Sequence, residues 1–186
     1  MTYSAGEVVE YTVTYLEMDE PRKWIDPPPP AGTGPELRFD GNPSPSDFFV
    51  LYDMVGRMHG WTDMHCWSSR RIERFLRHPR VSMSTMIVAS EPGGFFLLDG
   101  RRSGECNIGF FGLSKKWIGK GLGAWLLKTA ISDAWSMNGV EKVSVNTCTL
   151  DHPRALGLYK EHGLVAVRKV ERKRKLVNDL DPAVKP

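Results

Sequence analysis

The sequence predicts an α/β chain of the α+β type, in which an antiparallel meander is followed by a helix and further strand. Three observations predict it. The hydrophobic period is 2 through three runs between Val81 and Leu113, about 3.6 from Gly123 to Ala134, and 2 again from Lys142. The separators Glu91-Pro92-Gly93-Gly94 and Asp99-Gly100-Arg101-Arg102-Ser103-Gly104 carry turn chemistry, so the three runs should form an antiparallel meander. A chain of 186 residues, 41% hydrophobic, is long enough for one full core and short for two, so residues 1–186 are expected as a single domain.

Residues 7–17, EVVEYTVTYLE, alternate and are rich in β-branched and aromatic side chains, which reads as an early strand at a sheet edge. From Pro21 to Pro45 there are eight prolines, four of them consecutive at Pro27 to Pro30. They cannot donate backbone hydrogen bonds, so this stretch is an extended connection, with a short strand at Glu36 to Phe39. Ser46 or Asp47 is placed to cap a helix whose apolar side chains are Phe49, Val50, Leu51, Met54, Val55 and Met58. A second helix is expected from about Ser68 to Arg77, with Ile72, Phe75 and Leu76 inward.

The meander follows, as Val81 to Ala89, Gly94 to Leu98 and Cys106 to Leu113. In the next helix Gly123, Leu126, Leu127, Ala130, Ile131 and Ala134 share one stripe, and Asn138-Gly139 closes it with residues that tolerate a left-handed cap. Lys142 to Cys148 reads as strand. Asp151 is expected to cap a helix with Pro153 in its first turn, reaching His162-Gly163, and Leu164 to Val170 makes a last strand.

Composition narrows the function classes. The formal charge of +3 comes from 25 basic and 22 acidic residues, and the basic run Lys169, Arg172, Lys173, Arg174 and Lys175 is interleaved with Val170, Glu171 and Leu176. That pattern is a solvated strand face, and no nucleic-acid partner is expected. Cys66, Cys106 and Cys148 form no Cys-x-x-Cys pair, so neither a disulfide framework nor a zinc site is predicted, and a reducing compartment fits. No signal peptide pattern precedes Glu7 and Glu10, and no segment has the roughly 20 apolar residues of a membrane span. A soluble, cytoplasmic protein, monomeric or homodimeric, is expected.

The chemistry-bearing segment joins a strand to a helix: Phe111-Gly112-Leu113, then Ser114-Lys115-Lys116-Trp117, then Ile118-Gly119-Lys120-Gly121-Leu122-Gly123. A helix start has free N–H groups and a partial positive charge, and glycines there let a phosphate reach the main chain. A Walker A loop would need glycine where Ser114 stands and Ser or Thr where Gly121 stands. The Gly-x-Gly-x-x-Gly spacing fails at Leu126.

The segment resembles the GNAT superfamily of N-acetyltransferases, whose cofactor motif is Arg or Gln, two residues, Gly, one residue, then Gly or Ala. Gly121 and Gly123 match, and Ile118 stands where the Arg or Gln would be. A second match lies downstream: the family pattern Asn-x-x-Ala-x-x-Leu-Tyr, followed by Gly, is similar to His152-Pro153-Arg154-Ala155-Leu156-Gly157-Leu158-Tyr159 with Gly163 after it, His152 replacing Asn. The two matches span residues 81–170. The wording Asn146-Thr147-Cys148-Thr149-Leu150-Asp151-His152-Pro153 looks like one bacterial branch of that superfamily whose members mostly lack assigned substrates.

The resemblance implies a GNAT fold, with a mixed, mostly antiparallel sheet flanked by helices, and an acetyl-CoA-dependent N-acetyltransferase acting by direct transfer to an amine of a small molecule or peptide, without a metal. It implies that the amides from Gly119 to Gly123 hold the pyrophosphate, aided by Lys120, and that Phe111 to Leu113 pair with the pantetheine arm. It also implies that Tyr159 returns a proton to the leaving thiolate and that a main-chain N–H near Leu113 stabilises the oxyanion. Glu105, on the same strand face as Asn107, is the candidate base, with water as the alternative relay. The link from Arg57 to Trp67, with Trp61, is expected to border the acceptor pocket. Because Ile118, His152 and the base depart from the pattern, a non-catalytic acyl-CoA-binding domain is the competing expectation.

Overall fold

The computed structural model describes residues 3–21, 34–177 and 179. The four consecutive prolines of the expected connection lie outside them. The elements in chain order are β1 (Val8–Met18), β2 (Glu36–Asp40), α1 (Pro45–Gly56), α2 (Ser69–Leu76), β3 (Val81–Val88), β4 (Glu91–Asp99), β5 (Gly104–Leu113), α3 (Leu122–Ser136), β6 (Val140–Cys148), α4 (Ala155–Glu161) and β7 (Val165–Lys175), with short 3₁₀ turns at Arg57–His59, Asp63–Cys66 and Lys115–Trp117. The seven strands make one sheet in the order β2-β3-β4-β5-β6-β1-β7. The β3-β4-β5 meander is antiparallel as expected, and β5 with β6 is the parallel pair.

Helices cover both faces. α3 lays Leu122, Leu126, Leu127, Ala130, Ile131 and Ala134, all fully buried, on Phe96, Leu98, Ile108, Val143 and Val145. α1 and α2 bury Phe48, Leu51, Tyr52, Val55, Ile72, Phe75 and Leu76 against Val81, Met83, Phe95 and Leu97 of the other face. β4 is therefore packed on both sides, which explains why Phe95 to Leu98 is an unbroken apolar run instead of an alternating one.

Four expectations are corrected. β1 is not an edge strand: it pairs with β6 on one side and with β7 on the other. The outer place goes to β7, whose largely exposed, basic side chains suit an edge. The cap of α1 is Ser44, whose hydroxyl accepts from Asp47 N at 3.1 Å, with Pro45 in the first turn. The inward face of α1 is Phe48, Leu51, Tyr52 and Val55, and Val50 is 63% exposed. The turn between β3 and β4 is Ala89-Ser90, both with positive φ, so Pro92 to Gly94 belong to β4.

Asp151 also does not cap α4, which begins at Ala155. Its carboxylate Oδ2 instead accepts from Thr147 Oγ1 and Cys148 N, each at 2.8 Å, and so closes the turn leaving β6.

Candidate active site

The sheet opens in its middle. β5 and β6 pair in parallel only as far as Ile108 and Val145. Beyond that point β5 stays with β4, Phe110 to Leu113 opposite Leu97 to Gly94, while β6 stays with β1, Asn146 to Cys148 opposite Tyr15 to Val13. The divergence starts at a bulge: Leu97 opposes Phe110 and Leu98 opposes Ile108, leaving Gly109 as the extra residue on β5. An added residue bends the strand and reverses which side chains face which layer. Ile108 and Phe111 accordingly both pack with the α3 layer, whereas Phe110 packs with α1. The result is a V-shaped gap along which the main chain of Phe110 to Leu113 has no strand partner on the β6 side.

The gap ends at the glycine turn. Ser114 N donates to Gly93 O at 2.9 Å, a 3₁₀ turn follows, and Gly119 and Gly121 take φ of +81° and +77° just before α3 begins at Leu122. Two left-handed residues lead into a 15-residue helix whose first N–H groups receive no side-chain cap. An ideal Cβ at Gly123 would be 3.7 Å from Leu113 and 3.8 Å from Leu158, so β5, α3 and α4 meet here. The Leu122 side chain is fully buried, which leaves only its main chain available to a ligand. Lys120, within the turn, holds its Nζ 4.4 Å from the Trp117 ring centroid, whereas Lys116 pairs with Glu91. A pyrophosphate fits this surface: open main chain, positive φ and a helix start together accept an anion without a side chain at Ile118.

Tyr159 projects from α4 to the same gap, its ring 5.9 Å from that of Phe111. It is 5% exposed. Burial pushes its phenol well above the ordinary tyrosine value, and the charge of Asp151 pushes it the same way, so it stands as a protonated donor. His152, at the turn before α4, accepts from Arg154 N through Nδ1 at 3.2 Å and lies 6.3 Å from the His59 ring.

On the α1 side a pocket of about 220 Å³ is lined by Asp53, Arg57, Trp61, Thr62 and His65. Trp61 is its wall toward the gap. Its indole lies 5.6 Å from Phe110 and donates through Nε1 to Asp151 Oδ1 at 3.0 Å, and the Trp61 main-chain N–H donates to Gly56 O at 3.0 Å. His65 Nε2 donates to Asp53 Oδ1 at 2.6 Å and its ring stacks on Phe49. Tyr52 accepts from Met64 N, and burial holds its phenol up at about 12.

The predicted site residues divide accordingly. Phe111, Gly112 and Leu113 form the open edge of β5, the segment from Ile118 to Gly123 leads from it into α3, Tyr159 packs on Phe111, His152 neighbours His59, and Arg57 and Trp61 line the adjoining pocket. Trp67 is elsewhere: it packs on Phe75, with Arg71 3.6 Å above its ring, and anchors α2. Glu105 stands near the start of β5, six residues before Phe111, about 20 Å of extended chain. Its carboxylate accepts from Ser144 Oγ and pairs with Arg102, and Asn107 donates to the same Ser144. Thr62 and His65 fall within the link expected to border the pocket, whereas sequence reasoning passed over Asp53 and the second role of Asp151. The partner of Asp151 is 90 residues away, and no local pattern signals such a bond.

Residues 16–164 match the model of the acetyltransferase (GNAT) family. No curated protein matches the chain in sequence. Among solved structures, it is similar to a GCN5-related N-acetyltransferase from Kribbella flavida, at 14% identity and TM-score 0.59 over 92% of this chain and 58% of that one. It is also similar to a tandem GNAT protein from the clavulanic acid biosynthesis pathway, at 15% identity and TM-score 0.60 over 92% of this chain and 55% of that one. A third is the aminoglycoside acetyltransferase meta-AAC0020 from an uncultured soil metagenomic sample, at 16% identity and TM-score 0.56 over 73% and 91%. The chain thus spans little more than half of the first two. With the split sheet, the glycine turn and the match over most of its length, the chain belongs to the acetyltransferase (GNAT) family.

Proposed function

We propose that the chain is an acetyl-CoA-dependent N-acetyltransferase that moves the acetyl group directly to an amine. The observation that carries this reading is the gap between β5 and β6, with an unpaired strand edge along one side, an anion-binding turn at its end and a buried tyrosine facing it. The amides from Gly119 to Gly123 hold the pyrophosphate, and Phe111 to Leu113 hold the pantetheine amides as a further strand would. Bound there, the cofactor supplies an activated thioester. A main-chain N–H near Leu113 faces the developing oxyanion, and the Tyr159 hydroxyl gives its proton to the departing sulfur.

Glu105 is tied to Ser144 and Arg102, so the amine proton leaves through water. That same arrangement is what favours a second reading, an acyl-CoA-binding domain without turnover. Calorimetric titration with CoA, followed by thiol release from acetyl-CoA across a panel of small amines and peptides, separates the two. Binding with amine-dependent release supports the transferase; binding without release across the panel supports the sensor. Absence of CoA binding overturns both.

A further inference from the structure

The charges around the α1 pocket are unevenly satisfied. Asp53 accepts from His65, Asp63 pairs with Arg174 at 3.3 Å, and Asp151 accepts from Trp61, Thr147 and Cys148. The Thr62 hydroxyl accepts from Arg174 at 2.7 Å. Three carboxylates and a hydroxyl of the pocket and its rim are therefore engaged. Arg57, which lines the pocket, spends its main-chain N–H on Asp53 O, but its guanidinium makes no ion pair or hydrogen bond with any described residue.

A guanidinium at a concave wall, its side-chain donors without a partner among the described residues, offers a fork that matches a carboxylate. Trp61 offers an apolar face between that charge and the gap. We infer that the acceptor is an amino acid in the broad sense: its carboxylate pairs with Arg57, its aliphatic body lies along Trp61, and its neutral amine reaches the gap. The inference rests on the transferase reading for the fate of the amine, but the Arg57 contact is a matter of binding alone. A polycationic amine would meet Arg57 with like charge.

The test uses glycine, β-alanine and 4-aminobutanoate, each against its primary amide, with the CoA-saturated protein and its Arg57→Gln and Arg57→Lys variants. Calorimetric affinity and, with acetyl-CoA, KM are measured. A charge-assisted pair of this kind predicts at least one acid bound about 10- to 100-fold better than its amide. Arg57→Gln should erase that preference and Arg57→Lys restore part of it. Because Arg57 is exposed, unchanged CoA affinity certifies the fold of the variants.

Amides turned over as well as acids, or a preference indifferent to Arg57→Gln, would overturn the inference and leave the transferase standing. Arg57-dependent binding of acids without turnover would support the Arg57–carboxylate contact and sink the transferase. CoA binding with no acid bound overturns the inference.

Discussion

The indole of Trp61 donates to the carboxylate of Asp151 at 3.0 Å, joining the turn after α1 to the turn after β6. The bond ties the wall of the acceptor-side pocket to the loop that leads into α4 and Tyr159. Asp151 also receives Thr147 and Cys148, so its replacement by Ala strands three donors. We expect Asp151→Ala to cost about 3 kcal/mol, seen as a lower urea midpoint, and Trp61→Phe about 1 kcal/mol. The double variant should be less unstable than the sum by about 1 kcal/mol. Strict additivity would show that the bond carries no coupling.

On the proposed mechanism Tyr159 acts in the chemical step and not in cofactor binding. Tyr159→Phe keeps the ring against Phe111 and removes only the hydroxyl. Turnover of the best acceptor should fall about 100-fold or more, while CoA affinity changes less than about twofold. Equal losses in both would assign the residue to packing.

Gly112 is a packing requirement. A Cβ there would come within 2.4 Å of Val55 on α1, too close for either to remain in place. Gly112→Ala should destabilise by about 1–3 kcal/mol and weaken CoA binding by displacing the open edge of β5. Val55→Ala in the same chain should return much of both, measured by thermal melting and titration. Failure of that rescue would place the fault in the strand backbone.

Stability should fall on the alkaline side. Burial holds the Cys106 and Cys148 thiols up at about 12 from 9.0, and raises Tyr52 to about 12 from 10.0. Below about pH 8 the folded and unfolded chains both keep these protons. From about pH 9 the unfolded chain loses thiol protons that the folded chain retains, and from about pH 10 phenol protons as well. The unfolded state then binds fewer protons, so unfolding becomes easier as pH rises. Urea midpoints should be flat from pH 7 to 8 and drop progressively to pH 11, and Cys106→Ala with Cys148→Ala should remove the first part of the drop. A flat profile to pH 11 would contradict the buried states.

Local pattern carried the helices and strands because their driving terms are local. The stripe from Leu126 to Ala134 follows from a 3.6 period, the meander from a period of 2 with turn residues between, and the glycine turn from positive φ at Gly119 and Gly121. Where two signals overlapped, sequence reading slipped. Pro92 to Gly94 looked like a turn, but Ala89-Ser90 turns first and β4 absorbs the glycines because β3 and β5 pair on both sides.

The placement of the site was a tertiary matter. Glu105 and Asn107 read as a catalytic face by alternation, yet the distance along β5 and the competing partners Ser144 and Arg102 leave Glu105 remote from Tyr159. Trp61 and Trp67 are indistinguishable by type and spacing. Only the folded chain gives one Asp151 and the other Phe75 as its neighbour. The opening of the sheet depends on Gly109, a single extra residue whose effect exists only once β4 has chosen its register. Periodicity is encoded within a dozen residues, whereas a pocket is the meeting of segments up to ninety residues apart, decided by which bonds and surfaces remain unsatisfied after the strands have paired.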